Sequence, residues 1–220
     1  MNNTLLIEKA TEEIEAKNLG ATRQFLAVHQ VVYIDGRPKV ARVDTEKENG
    51  TVIVYFSVVD ELFYLAVYLD TMPFVSVRHV DTQPYHTVCF KATSGELNYL
   101  ELSNLTTLSP TGGWNIGEKK KFGNAYHKFS ALEFEPNPGA DEFDDKIKKP
   151  LTFLEQDKDG VKRLVEKAGG YIQVTTSFHN GNTMLGGHHL NIETVSRLAS
   201  MNLAVDFDIY ADGNLFNEPL

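Results

Sequence analysis

Residues 51–80 read TVIVYFSVVDELFYLAVYLDTMPFVSVRHV, and this stretch decides the fold of the first part of the chain. It holds three runs of β-branched and aromatic residues, separated by Asp60-Glu61 and by a turn from Asp70 to Pro73. Strands joined by such short connections pair as antiparallel neighbours. Two more strand-like runs precede them, at 25–34 and 39–43, with the tight-turn pair Asp35-Gly36 between them. Residues 24–82 are therefore predicted to form an antiparallel meander of about five strands.

The pattern changes after Pro84, where strands and helices begin to alternate. The predicted strands are 86–92, 126–134, 171–178 and 203–210, the last with Val205, Phe207 and Ile209 facing the core. A capping box of Thr93 and Glu96 predicts one helix, and helical spacing predicts a helical zone at 147–168, interrupted near Pro150, and a short helix capped by Asn191. A first helix is predicted at 4–18, and an acidic surface loop at 136–145.

The predicted fold class is α+β, with an N-terminal antiparallel β-meander followed by an α/β sandwich-like half in which strands and helices alternate. The switch near residue 84 divides the chain into 1–84, a helix and a β-rich module, and 85–220, an α+β unit. These are either two domains or two halves that share one core.

Composition limits the classes of function that remain. The formal net charge is −9, which argues against a nucleic-acid binder, because phosphate binding requires a basic surface. An acidic surface still attracts basic protein partners. The single cysteine, Cys89, lies in an apolar run and is expected to be a core residue. With no apolar run long enough for a signal peptide or a membrane span, the chain is predicted to be cytoplasmic, with no membrane partner.

The sequence contains no recognisable enzyme signature: it lacks the phosphate-binding, nucleophile-elbow and zinc-protease motifs. The best candidate cluster for a metal or acid–base site is His188 and His189 with Asp206 and Asp208. Adjacent histidines do not both point at one ion unless the loop curls, so no metal and no cofactor is predicted. The four residues remain candidates for ligand binding.

A second candidate region surrounds the only tryptophan, Trp114, which lies between glycine-containing turns. Such a residue either anchors a loop in the core or lines a cleft. Next to it, Lys119, Lys120 and Lys121 form the one concentrated positive run of an acidic chain. Trp114, Lys119 and Lys121 are therefore candidates for contacting an acidic ligand, although a run of lysines is usually a solvated loop.

Three segments between about 86 and 210 resemble a bacterial family of domains of unknown function, DUF4279. Residues 111–118, TGGWNIGE, are similar to its T-x-x-W-x-x-G-[DE] segment, and a helix and strand around 161–178 follow in the same order. The end, GHHLN at 187–191 and LAVDFDIY at 203–210, resembles the family's closing pattern. The resemblance implies an α+β fold and a bacterial origin; it assigns no catalytic residues, and residues 24–82 resemble an appended module.

Two hypotheses for the function follow. In the first, the chain is a non-catalytic protein-interaction module, for which an immunity-like protein that masks a toxin is one specific form. In the second, it is a small-ligand-binding protein or an unrecognised hydrolase with a pocket between Trp114 and the two histidines, His188 and His189. The oligomeric state cannot be read from the sequence.

Overall fold

The computed structural model describes residues 2–47, 50–181 and 187–216. The chain begins with two helices, α1 (Asn3–Ala16) and α2 (Gly20–Leu26), followed by a short hairpin of β1 (Tyr33–Ile34) and β2 (Arg37–Pro38). A four-stranded antiparallel sheet comes next, with its strands side by side in chain order: β3 (Val40–Asp44), β4 (Thr51–Ser57), β5 (Tyr64–Asp70) and β6 (Ser76–Gln83). The predicted meander is confirmed for these four strands.

Helix α1 covers one face of the four-stranded sheet. Its buried side chains Leu6, Ala10 and Ile14 recur every four residues and therefore lie on one side of the helix. They pack against the apolar residues of the central strands β4 and β5, including Val54 and Val67. Burial of these side chains holds the first half together, since each buried aliphatic side chain contributes roughly 1.5–3 kcal/mol.

In the described residues, the second half contains a five-stranded sheet and four α-helices. In chain order these are β7 (Tyr85–Ser94), α3 (Tyr99–Ser103), β8 (Gly112–Trp114), β9 (Ser130–Phe134), α4 (Phe143–Leu154), α5 (Lys158–Ala168), β10 (Tyr171–His179), α6 (Ile192–Ser200) and β11 (Val205–Asp212). The strand order is β11-β10-β7-β9-β8. Among the strands that the structure describes, β10 and β11 are the one parallel pair, because helix α6 carries the chain back between them. The α+β fold class is thus confirmed.

The two faces of this sheet differ in character because side chains alternate along a strand. The covered face carries Phe90, Leu132 and Val174, which pack beneath helices α4, α5 and α6. The open face carries polar side chains, among them Thr87, Lys91, Glu133, Gln173 and Asp208. Every candidate residue on this sheet can be placed on one of these two faces.

An ion-pair network connects the two halves. Arg42 of β3 forms an ion pair with Asp141 at 2.7 Å, and Lys47 forms one with Glu142 at 2.5 Å. Asp141 also lies 2.9 Å from Lys149 and is only 2% exposed. The acidic run was expected to be a surface loop, but at Asp141 that prediction is wrong. Its carboxylate is stabilised by two cations from different elements, which offsets the cost of burial.

The end of the described chain returns to the first half. Asn214 donates a hydrogen bond to the carbonyl of Val28 at 3.0 Å, and Phe216 packs against the first core. Nearby, His179 Nε2 lies 2.8 Å from His29 Nε2. Gly181 N–H donates a hydrogen bond to His179 Nδ1, so neutral His179 carries its hydrogen on Nε2, the atom that faces His29. Whether 1–84 and 85–220 fold as separate domains stays a prediction.

Three local predictions are wrong. Phe25 and Leu26, predicted to begin a strand, instead end helix α2, because Thr22 and Phe25 are buried on one helical face and Thr22 donates to Glu13 at 2.6 Å. The capping box that begins α3 is formed by Asn98 and Glu101, five residues after the predicted pair. Pro150 lies inside α4 without ending it.

Strand β11 also departs from the prediction that Val205, Phe207 and Ile209 all face the core. Val205 packs against the core, but Phe207 is 38% exposed and Ile209 is 55% exposed. The reason is the position of β11 at the end of the sheet, beyond the helices that pack on β7.

Candidate functional site

The most exposed aromatic surface of the described chain is a hairpin that starts at Trp114. We name residues 114–129 the Trp114 hairpin. Its arms are joined by hydrogen bonds from Gly117 N–H to His127 O, from His127 N–H to Glu118 O and from Lys120 N–H to Ala125 O, all between 2.8 and 2.9 Å. Backbone bonds of this kind give the hairpin a defined shape before any partner arrives.

Trp114 fixes the base of the hairpin. Its indole N–H donates to the carbonyl of Phe129 at 3.0 Å, and its ring stacks on His127 with the centroids 4.3 Å apart. The ammonium group of Lys91 lies 5.8 Å from the indole centroid, a distance suited to a cation–π contact. The half-buried Trp114 therefore anchors the hairpin and also lines its groove.

Gly113 makes this arrangement possible. Its φ of +151° lies in the region that favours glycine. A Cβ atom here would collide with the carbonyl of Ala131 and would lie 2.5 Å from the ring of Tyr99. No other amino acid fits between β9 and α3 at this position without displacing the strand or the ring.

The rest of the hairpin projects apolar rings into solvent. Phe122 is 81% exposed, Tyr126 61% and Phe129 42%, and Ile116 is half exposed. Four lysines accompany them, at 119, 120, 121 and 128, against a single acidic residue, Glu118. A groove of about 800 Å³ runs between Trp114, Phe122 and Phe129, with Lys120 and Lys121 on its wall. The hairpin is thus a basic, aromatic surface on a protein of net charge −9.

The candidate histidines lie elsewhere. His188 is on the covered face of the sheet, stacked on Phe207 with the ring centroids 5.3 Å apart. His189 is exposed. Trp114 belongs to the open face at the far edge strand, four strands from Phe207. Among the described residues, the proposed pocket shared by Trp114 and the histidines is therefore not formed.

Asp206 and Asp208 are exposed on the open face of β11 and do not meet the histidines. Asp208 accepts a hydrogen bond from Gln173 of the neighbouring strand at 3.2 Å. Of the seven sequence-predicted site residues, the structure brings together Trp114, Lys119 and Lys121 in one hairpin, whereas His188, His189, Asp206 and Asp208 scatter over both faces around β11. The glycine-rich loop predicted at 180–187, just ahead of the histidines, falls largely outside the described residues.

One polar cluster was missed by the sequence analysis. Thr176 Oγ1 lies 3.0 Å from His86 Nδ1 and 2.9 Å from His188 Nε2. Burial, followed by the charges of His188 and Lys146, lowers the pKa of His86 to about 3, and burial also lowers the pKa of His188. Thr176 is completely buried, so this cluster serves as a neutral hydrogen-bonded network inside the fold.

A second missed cluster is acidic. Oxygen atoms of Asp44, Asp141 and Asp145 lie within 4.8 Å of one another, close enough to share a cation. Cationic side chains already form ion pairs with these carboxylates: Arg42 pairs with Asp141, and Lys47 lies 3.3 Å from Asp44 and 3.1 Å from Asp145. Neither cluster has a signal in the local sequence, because the partners come from distant segments.

Cys89 lies on the open face, nearly buried. Burial raises the pKa of its thiol to about 11, so the thiol stays protonated near neutrality. The expectation that it is an unreactive packed residue agrees with this environment.

A family model described as "Domain of unknown function (DUF4279)" matches residues 83–212. No curated protein and no solved structure matches the chain. In the part of the chain that the structure describes, no helix has both the length and the apolar character needed to cross a bilayer. The matched segment begins where β6 gives way to β7 and ends with β11, so it contains the complete five-stranded sheet. The match covers more than half of the chain, which therefore belongs to the DUF4279 family.

Proposed function

We propose that this chain is a non-catalytic protein-interaction module that binds an acidic partner protein through the Trp114 hairpin. The observation that carries the proposal is the concentration of exposed Phe122, Tyr126 and Phe129 among four lysines. Aromatic side chains dominate the energetics of protein interfaces because they bury large areas with few rotatable bonds. Isolated exposed apolar residues need no explanation, whereas a cluster of them on one projecting element does.

The charge of the hairpin favours an acidic partner. Lysines at the rim of an aromatic surface steer an oppositely charged protein toward it and repel basic proteins. The remainder of the chain is acidic overall, which makes a nucleic acid the poorer fit. The ordered backbone of the hairpin lowers the entropic cost of binding, because little has to be ordered when the partner docks.

The immunity-like form of this proposal, in which the partner is a toxin, rests on analogy with small acidic bacterial proteins. The bacterial origin and the cytoplasmic location remain part of the same proposal.

The test is a quantitative pull-down with the full-length chain, followed by a binding titration of the purified partner. The double variant Phe122→Ser/Tyr126→Ser is expected to weaken binding by about 30-fold or more, the usual effect of removing two interface aromatics. The matched control is Leu62→Ser/Met72→Ser, which removes two equally exposed apolar residues from the first half. The control should bind like the wild type.

A charge-reversal variant provides a second test. Lys120→Glu/Lys121→Glu should slow association and remove its salt dependence. A partner that binds the aromatic double variant as tightly as the wild type would reject the hairpin as the contact surface. If the wild type captures no protein above background, or captures only nucleic acid, the interaction function itself is contradicted.

A further inference from the structure

Strand β11 is the most exposed strand of the five-stranded sheet. It pairs in parallel with β10 over eight residue pairs, from Ile172↔Val205 to His179↔Asp212, and no strand of the described residues pairs with its outer side. Residues 206–211 are all exposed. An unpaired edge of this length offers a row of free N–H and C=O groups to an incoming chain.

Proteins usually protect such an edge with charged side chains, above all lysine, or with proline, a bulge or a very short strand. Residues 205–212, VDFDIYAD, contain neither lysine nor proline, and their register with β10 is uninterrupted. Their charges are all negative, so the edge is regular, and it disfavours an acidic strand but not a basic one.

The two rows of side chains on β11 differ in chemistry. The row on the covered face is apolar, with Phe207 held by its stacking on His188 and with Ile209 exposed beside it. The row on the open face carries Asp206, Asp208, Tyr210 and Asp212, so three of its four side chains are carboxylates. A strand added here would meet apolar side chains on one face and carboxylates on the other.

A second copy of the chain is a poor occupant. A two-fold axis normal to the sheet pairs residues of the same row, so the acidic row faces itself. In the register that places Asp208 opposite Asp208 of the second copy, these two carboxylates meet directly. In the register that places Ile209 opposite Ile209 of the second copy, Asp206 of each copy meets Asp212 of the other. Directly opposed like charges destabilise a strand pair. The acidic row thus disfavours self-pairing while it attracts a basic strand.

We propose that the outer edge of β11 binds an extended segment of a basic partner protein, in which apolar and basic residues alternate, as an added β-strand. Backbone hydrogen bonds hold the segment, its apolar residues pack beside Phe207 and Ile209, and its basic residues pair with Asp206 and Asp208. This surface lies at the opposite edge of the sheet from the Trp114 hairpin and takes a partner of opposite charge.

The experiment uses the full chain and synthetic eight-residue peptides, followed by fluorescence anisotropy. The probe alternates lysine with valine or isoleucine; the comparison peptides carry glutamate in place of lysine, or the same residues in scrambled order. We expect binding of the lysine peptide only. N-methylation of the peptide amides that face β11 should abolish binding, which separates strand addition from simple charge attraction.

Charge exchange in the protein sharpens the test. The variant Asp206→Lys/Asp208→Lys should weaken binding of the lysine peptide about tenfold or more and should strengthen binding of the glutamate peptide. The milder variant Asp206→Asn/Asp208→Asn should weaken binding of the lysine peptide without preferring the lysine peptide or the glutamate peptide. The control Phe122→Ser/Tyr126→Ser should bind the peptide normally, so a failure of this proposal is distinct from a failure at the Trp114 hairpin.

Three outcomes would overturn the proposal: equal binding of the scrambled peptide, unchanged binding after N-methylation, or no binding by the wild type at millimolar peptide. If the wild type is a dimer and the Ile209→Lys variant is a monomer, the edge binds a second copy of the chain, and the proposal of a basic partner strand is rejected.

Discussion

At the scale of single residues, Gly113 is a position where the chain does not tolerate a side chain. Its backbone conformation and the nearby Ala131 carbonyl and Tyr99 ring all require the absence of a side chain. The hairpin that carries the proposed interaction surface depends on this one position, because Trp114 follows it directly.

Gly113→Ala should lower the free energy of unfolding by about 2 kcal/mol or more, since it adds both backbone strain and overlap. The matched control is Gly112→Ala, whose Cβ would make an ordinary contact with Glu133 at 3.4 Å. Urea unfolding followed by fluorescence measures both, because Trp114 is the only tryptophan. Equal stability of the two variants would contradict the packing argument.

At the scale of elements, the carboxylate of Asp157 joins the start of helix α5 to the loop before β8. Asp157 accepts hydrogen bonds from Gly160 N–H at 2.9 Å and from Thr107 N–H at 2.6 Å, and both Thr106 and Thr107 donate their hydroxyls to it. The hydrogen bond from the Thr107 backbone, with the others, lowers the pKa of Asp157 to about 2.

Asp157→Ala should therefore cost about 2 kcal/mol of stability, which is the upper range for loss of a helix cap. Asp157→Asn should cost less, because an amide oxygen still accepts from Gly160. The exposed Asp159→Ala, in the first turn of the same helix, is the control and should cost about 0.5 kcal/mol or less. Thermal unfolding compares the three, and a control as harmful as Asp157→Ala would show that charge, not capping, is responsible.

The elements also show what local sequence can predict. Strands β4, β5 and β10 and helices α1 and α6 follow from periodic patterns that their final packing reinforces. Helix α2 does not, because the burial of Phe25 beside Phe63 and His179 decides its conformation, and those neighbours come from distant segments. Trp114 and the lysines were found together because they share one hairpin. The His86–Thr176 contact joins residues 90 positions apart, so no spacing rule reveals it.

At the scale of the whole molecule, buried neutral histidines make stability depend on pH. The pKa of His86 is lowered to about 3, by burial and then by His188 and Lys146, while Asp141 opposes the shift. Burial and His29 lower the pKa of His179 as well. An unfolded histidine titrates near 6.5, so the unfolded state binds more protons below that pH, and stability falls as the pH drops from about 6.5 toward 3.

Between pH 7.5 and 5.5, His86 alone should lower the free energy of unfolding by about 1.4 kcal/mol, because it stays neutral in the folded state but takes up a proton in the unfolded state. Urea unfolding at the two pH values measures the loss. His86→Gln should remove about that part of the difference, whereas the exposed His189→Gln should leave it unchanged. A His86→Gln protein with the full wild-type pH dependence would contradict the assignment.

The contacts of the final described residues have a consequence for how the molecule is assembled. The segment that matches the family begins at the end of β6, and after β11 the chain returns through Asn214 and Phe216 to the first core. The polypeptide therefore contacts the first core on both sides of the family segment. Two such attachments restrict the relative motion of the two halves more than one attachment would. The Trp114 hairpin and the β11 edge are consequently both carried by a segment that is attached to the first core at each of its ends.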